Sequence, residues 1–286
     1  MHWTDRRERY RATIAGTACI HPASVHDAIS ARIAEDLGFE IGMFAGSIAS
    51  FTVLGAPDLI VLTLTEFAAQ AYRIDRAGKL PVMVDADHGY GNALNVMRTV
   101  QELETAGVAA LMIEDTVLPR AFGETQPAVI SIEEGVGKMR AALAAREDKA
   151  LTIIGRTSAP SISGLADGIK RLKAYQNAGV DALFIAGGLT RIGLDAIAAE
   201  VGIPLMLGGI PAELQDNAYL ASRGVRVALQ GHQPFSAAVK ATYDTLKALR
   251  DGTRPSDLTG IASAELMARV TREGDYKNWT ERFLSR

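Results

Sequence analysis

Four acids and an arginine in this chain stand at the ends of runs of apolar residues. VDADHGYGN puts Asp85 and Asp87 at the end of one run, LMIED puts Glu114 and Asp115 at the end of the next, and TIIGRTSAP puts Arg156 at the end of a third. A carboxylate that follows a buried strand has lost water, so it is costly unless a cation compensates it, and further acids nearby multiply the cost. A divalent metal resolves the conflict. Oxygen ligands without a cysteine cluster favour Mg²⁺ or Mn²⁺ over zinc, and magnesium takes one or two carboxylates while keeping several waters. Asp85, Asp87 and Glu114 are therefore the candidate metal ligands, with Gly89 and Gly91 allowing the chain to turn tightly. The plainer alternative is that Asp87 caps a helix beginning near Asn92 and that Glu114 pairs with a nearby Lys or Arg.

Arg156 offers a planar fork for a substrate carboxylate. Its alternative role is an ion pair with Glu114 or Asp115. His232, in ALQGHQPF, and Ser47, in FAGSIAS, also follow apolar runs. His232 is either a structural histidine or a proton-handling group. Ser47 either caps the next turn or, with adjacent backbone N–H groups, stabilises a developing oxyanion. Gly187-Gly188 and Gly208-Gly209 are ordinary turn glycines or the cradle of a phosphate.

What must position these residues is a series of buried strands alternating with helices. Apolar, β-branched runs cover residues 17–21, 40–45, 81–85, 109–113, 151–155, 182–185, 204–207 and 225–229, and amphipathic stretches such as 24–37, 65–77, 93–106, 132–146 and 165–178 lie between them. Gly38, Gly78, Gly107 and Gly179 suit left-handed helix stops. TAGVAALMIED and NAGVDALFIAG repeat one local grammar of helix end, turn and buried strand. Eight such strands in 286 residues predict the α/β class and a (β/α)₈ TIM barrel, whose chemistry sits at the C-terminal strand ends. Residues 1–286 form one barrel domain in this reading, with 251–286 as a C-terminal helical extension carrying Trp279 and Phe283.

The net charge of −3 and the absence of a basic run exclude the usual footprint of a nucleic-acid binder. Cys19 is the only cysteine, so an intramolecular disulfide is excluded, and it reads as a buried strand residue. MHWTDRRERYRAT has no hydrophobic core of signal-peptide length, and no apolar stretch reaches the roughly 18 residues of a membrane span. A soluble, cytoplasmic enzyme acting on a small molecule is expected, with no membrane or nucleic-acid partner.

VDADHGYGN, AGVAALMIED and the strand-end Arg156 together resemble the phosphoenolpyruvate mutase/isocitrate lyase superfamily, from about Thr17 to Arg250. SARIAEDLGFEIGMFAGSIAS, DADHGYGNALNVMRTVQELE, EEGVGKMRAAL and GVRVALQGH look most like its oxaloacetate decarboxylase branch. The resemblance implies Mg²⁺ held around Asp85, with Asp87 and Glu114 binding its waters, and substrate contacts from Ser47, Asp85, Arg156 and His232. It further implies an enolpyruvate intermediate and a homotetramer with exchanged C-terminal helices. The expected reaction is decarboxylation of oxaloacetate to pyruvate and CO₂, with Arg156, His232 and Ser47 as catalytic residues. The alternatives are a carbon–carbon lyase or hydrolase acting on another 2-oxo- or 2-hydroxy-dicarboxylate, a phosphonate mutase, and a metabolite-binding barrel without turnover. Two segments depart from the pattern: Ser158 stands two residues after Arg156 where the family often has Asn or Asp, with Pro160 following, and the chain reads GGIPAEL where the branch carries an aromatic residue near the end of strand seven. The 116–131 loop, TVLPRAFGETQPAVIS, also lacks the cysteine of the isocitrate-type lyases and the Asn of the mutases.

Overall fold

The computed structural model describes residues 3–285. Its strands are β1 (Ala23–Ser24), β2 (Gly42–Phe44), β3 (Val82–Asp85), β4 (Ala110–Glu114), β5 (Thr152–Thr157), β6 (Ala182–Ala186), β7 (Leu205–Gly208) and β8 (Val225–Ala228). They form one sheet in the order β1-β2-β3-β4-β5-β6-β7-β8. Every pairing is parallel. The α/β class follows from this composition, because parallel strands must be covered on both faces and so read as continuous apolar runs. In β4 every residue is buried.

The helices are α1 (Thr4–Ala15), α2 (Ala28–Asp36), α3 (Gly46–Ala49), α4 (Leu64–Asp75), α5 (Ala93–Ala106), α6 (Ile132–Ala145), α7 (Ala159–Ile162), α8 (Leu165–Ala178), α9 (Arg191–Ala198), α10 (Asn217–Ser222), α11 (Gln233–Arg250), α12 (Ala264–Thr271) and α13 (Glu273–Leu284). Helices α2, α4, α5, α6 and α8 pack side by side in sequence order. Among the described residues, those up to Gly231 form one compact unit and those from His232 onward a second. The second unit comprises α11, α12 and α13.

The first strand differs from the expectation. Of residues 17–21 only Ile20 pairs, and its partner is β8: its N–H donates to the Arg226 carbonyl at 2.9 Å and its carbonyl accepts from the Ala228 N–H at 3.0 Å. Cys19 is buried as expected but stands just before this bridge, outside any strand. The pairing with β2 comes later, in the two-residue β1. The segment thus switches neighbours along its length, which a run of apolar residues does not reveal.

Helix α1 reaches strands on both sides of the sheet order. Tyr10 is fully buried, and its hydroxyl lies 3.7 Å from the sulfurs of both Met83 in β3 and Met206 in β7. One side chain therefore meets strands four apart in the sheet order. The arginines of α1 satisfy the open carbonyls of helix ends: Arg6 donates to Asp75 O at 2.6 Å and Gly78 O at 2.8 Å, and Arg7 donates to Glu104 O at 2.6 Å and Val108 O at 3.0 Å. Gly107 and Gly179 are the expected left-handed stops of α5 and α8, with φ of 99° and 100°. Gly38 is also left-handed, one residue beyond the C-cap of α2. Gly78 is not among the positive-φ glycines; α4 ends earlier, at Asp75, where Arg6 takes over the capping.

Candidate functional site

The acids meet because of register. Glu114 and Arg156 are direct partners across the parallel β4–β5 ladder, so their side chains project on the same face. Asp85 pairs in register with Met112, which puts Glu114 two residues beyond Asp85's level and again on its face. Arg156 bridges the set: Nη1 donates to Asp85 Oδ2, and Nη2 lies 3.4 Å from Glu114 Oε2. The Thr116 hydroxyl donates to the same Glu114 oxygen at 2.7 Å. Of the two ion pairs anticipated for Arg156, the one with Glu114 forms; its other partner is Asp85, not Asp115.

Asp115 belongs to a separate, structural cluster. It is fully buried, and its Oδ2 accepts from Tyr175 at 2.7 Å, Thr157 at 2.9 Å and Arg171 at 3.2 Å. This ties the end of β4 to β5 and α8.

Asp87 is buried against Gly46, where a Cβ would fall 2.5 Å from Asp87 Oδ1, so only glycine fits. It does not cap α5; that role belongs to Asn92, whose side chain accepts from the backbone N–H groups of Leu94 and Asn95. Burial pushes the Asp87 carboxyl well above the usual range, and Asp85, Glu114 and Asp58 push it further, against Arg156 alone. Glu114 is raised chiefly by burial, with Arg156 opposing and Asp85 reinforcing. Asp58 is raised by burial and by Asp85, again opposed by Arg156. At Arg156 burial works against the charge, but Asp85 and Glu114 outweigh it and hold the guanidinium protonated. His88, next to Asp87, is pushed down to about 4 by burial and by Lys138, so it is neutral at pH 7.

Four acids, Asp58, Asp85, Asp87 and Glu114, thus gather around Arg156, with Lys138 in electrostatic reach of Glu114 alone among them. That imbalance is the observation that fits a cation. Among the described residues no three His, Cys, Asp or Glu side chains are gathered closely enough to chelate an ion by themselves. The donor set therefore suits a water-rich magnesium site with one or two direct carboxylates, and not a closed three-ligand cage.

Ser47 lies one residue inside α3, whose N-cap is Ala45, so it is not the cap of that turn. Its neighbour Gly46 is the residue against Asp87, and the first turn of a helix leaves N–H groups without intrahelical partners. His232 is the first residue of the second unit, at the N-cap position of α11. Gly188 and Gly209 line a cavity of about 1410 Å³ at the ends of β6, β7 and β8, together with His21, Thr190 and Asn217. Asp58, Asp85, Asp87 and Glu114 do not line it.

Sequence reasoning missed Asp58, which sits in the 55–63 loop far from any strand end and carries no local signal. It also missed Lys138, whose Nζ donates to the His88 carbonyl at 2.9 Å. A signal for Lys138 existed: it falls with Gly135, Met139 and Ala142 on the buried face of α6, where a lysine is out of place.

Residues 14–250 match the phosphoenolpyruvate phosphomutase family. The chain is 59% identical over 277 residues to an oxaloacetate decarboxylase of Bradyrhizobium diazoefficiens, covering 97% of this chain and 96% of the relative. It is 58% identical over 284 residues to one from Rhodopseudomonas palustris, covering 99% of each. Among solved structures, phosphonopyruvate hydrolase in complex with oxalate and Mg²⁺ superposes with a TM-score of 0.86 at 26% identity, over 98% of this chain and 99% of the other.

Proposed function

This chain belongs to the phosphoenolpyruvate phosphomutase family, and on that basis we propose that it is a carboxy-lyase converting oxaloacetate to pyruvate and CO₂. The geometric observation that carries the reading is the cluster of four acids around one strand-end arginine. Asp85, Asp87 and Glu114 would hold Mg²⁺ or Mn²⁺ and its waters; the hydrolase of the same fold carries Mg²⁺ with oxalate, a small dicarboxylate. When bound, the ion supplies Lewis-acid charge that favours electron build-up on the substrate's keto oxygen.

The chain's own residues do the rest. Arg156 and His232 orient the distal carboxylate, and Asp85 contributes to the binding of the keto-acid end. The C3–C4 bond breaks, its electron pair moves towards the keto oxygen, and CO₂ departs, leaving the enolate of pyruvate. Ser47 and the open N–H groups of α3 donate to the developing oxyanion. His232 is the candidate donor of the proton that C3 then takes up. The 116–131 loop has only to exclude water from the enolate, which fits its lack of an acid–base cysteine.

We further take residues 1–286 as one closed (β/α)₈ barrel domain with a C-terminal helical segment over 251–286. The Ile20 bonds to β8 and the Tyr10 contacts support closure. A homotetramer with exchanged C-terminal helices is the proposed assembly: α11 exposes Val239, Tyr243 and Leu246 at helical spacing, and α13 exposes Tyr276, Trp279 and Phe283. Among the described residues no helix is long and apolar enough to cross a membrane, and a cytoplasmic location is the working assumption. The test is metal-dependent pyruvate release from a panel of oxo- and hydroxy-acids. Turnover of oxaloacetate above all others is expected, and binding without turnover would overturn the reading.

A further inference from the structure

The turn after β3 has an unusual backbone. Asp87, Gly89, Tyr90 and Gly91 have φ of 47°, 78°, 60° and 147°. For Asp87 and Tyr90 this is a strained, left-handed conformation that persists only where the surroundings over-determine it. Two buried side chains from neighbouring helices grip adjacent carbonyls of this turn. The Thr99 hydroxyl in α5 lies 3.0 Å from Gly89 O and also 3.0 Å from Asn95 O one turn back in its own helix, so its single proton is shared between the two, and Lys138 Nζ in α6 donates to His88 O at 2.9 Å. Thr99 is fully buried and Lys138 is 3% exposed. On the other side, the Glu114 N–H donates to Asp87 O at 2.8 Å. The turn is also pressed onto α5, since a Cβ on Gly89 would fall 2.4 Å from Val96 Cγ2.

Glu134, Glu114 and Asp115 oppose the effect of burial on the Lys138 ammonium, but its hydrogen bond goes to the His88 carbonyl, which gives it a geometric role as well. We propose that Thr99 and Lys138 are positioning residues, a two-point clamp that holds the strained turn and thereby aims the Asp87 carboxylate into the acidic cluster for metal binding. Neither touches the reacting atoms. Without the clamp, Asp87 and Tyr90 relax towards ordinary φ, and the Asp87 carboxylate leaves its place against Gly46. The inference rests on the metal reading of the site.

The test is Mn²⁺ titration of the metal-free full-length protein, followed by electron paramagnetic resonance, with thermal unfolding as the check on folding. Thr99→Val keeps the shape of the side chain and removes the donor; about fivefold weaker Mn²⁺ binding is expected, as for the loss of one neutral hydrogen bond. Thr99→Ser restores the donor and should bind within about twofold of wild type. Lys138→Met, its folding checked by thermal unfolding, should also bind more weakly, the lost charge-assisted hydrogen bond outweighing the removal of a cation within electrostatic reach of Glu114. Thr99→Val binding Mn²⁺ as wild type does, Thr99→Ser weakened as much as Thr99→Val, or a folded Lys138→Met with wild-type affinity would overturn the two-point clamp. A wild type that binds no Mn²⁺ would refute the metal reading itself, and the clamp with it.

Discussion

Replacing Arg156 by lysine keeps the charge and removes the fork. In the structure the two terminal nitrogens divide their work, Nη1 on Asp85 and Nη2 at 3.4 Å from Glu114, in a site where the arginine side chain is 17% exposed and that of Glu114 6%. A lysine ammonium reaches one of these partners and, with substrate present, one carboxylate oxygen instead of two. The loss is one charge-assisted hydrogen bond, about 1.5–3 kcal/mol in a partly dry site. At about 1.4 kcal/mol per tenfold change, kcat/KM for oxaloacetate should fall roughly ten- to a hundredfold. Folding should survive Arg156→Lys, because the ammonium still offsets part of the acid cluster's repulsion. Initial rates of pyruvate formation at several oxaloacetate concentrations, with metal saturating, give the number. A variant within twofold of wild type would show that no carboxylate is held by both prongs and would return Arg156 to a purely structural ion pair.

Asp85→Ala should lower the metal-dependent rate at least about a hundredfold while the far-UV circular dichroism spectrum stays that of the folded barrel; retained activity would remove Asp85 from the site. His232→Gln should slow turnover of oxaloacetate, and wild-type kinetics in that variant would make His232 a structural residue. Burial pushes the Cys19 thiol up to about 11, with Arg226 only partly opposing. At pH 8 about one thiol in a thousand is then ionised, so iodoacetamide should label Cys19 far more slowly in native protein than in urea; equal rates would contradict that environment.

Strands β2 to β8 were legible because each is a buried run that stops at a polar residue or a glycine. The first was not: Ile20 pairs with one neighbour and Ala23 with the other, so the pairing leaves no periodic trace. Helix α1 escaped for a related reason. Its arginines look like a solvated face, and only the folded chain brings Arg6 and Arg7 to the ends of α4 and α5. Within the site, Asp85, Asp87, Glu114 and Arg156 announced themselves by position at strand ends. Asp58 did not, since a loop acid gains significance only when the fold carries it to Asp85 and Arg156. Asp115, weighed only as an alternative ion-pair partner of Arg156, has the same strand-end position but points into the Arg171–Tyr175 cluster, because successive residues leave a strand on opposite faces.

Metal-dependent decarboxylation of oxaloacetate at the acid cluster is decided by comparing the products from oxaloacetate and isocitrate with Mg²⁺ and with EDTA, after subtracting the protein-free rate. Pyruvate should form from oxaloacetate with Mg²⁺ and stop with EDTA. Isocitrate should give no comparable glyoxylate or succinate, since the 116–131 loop holds no cysteine to protonate a departing carbanion. Pyruvate release undiminished by EDTA, or glyoxylate and succinate release rivalling it, would refute a metal-dependent decarboxylase.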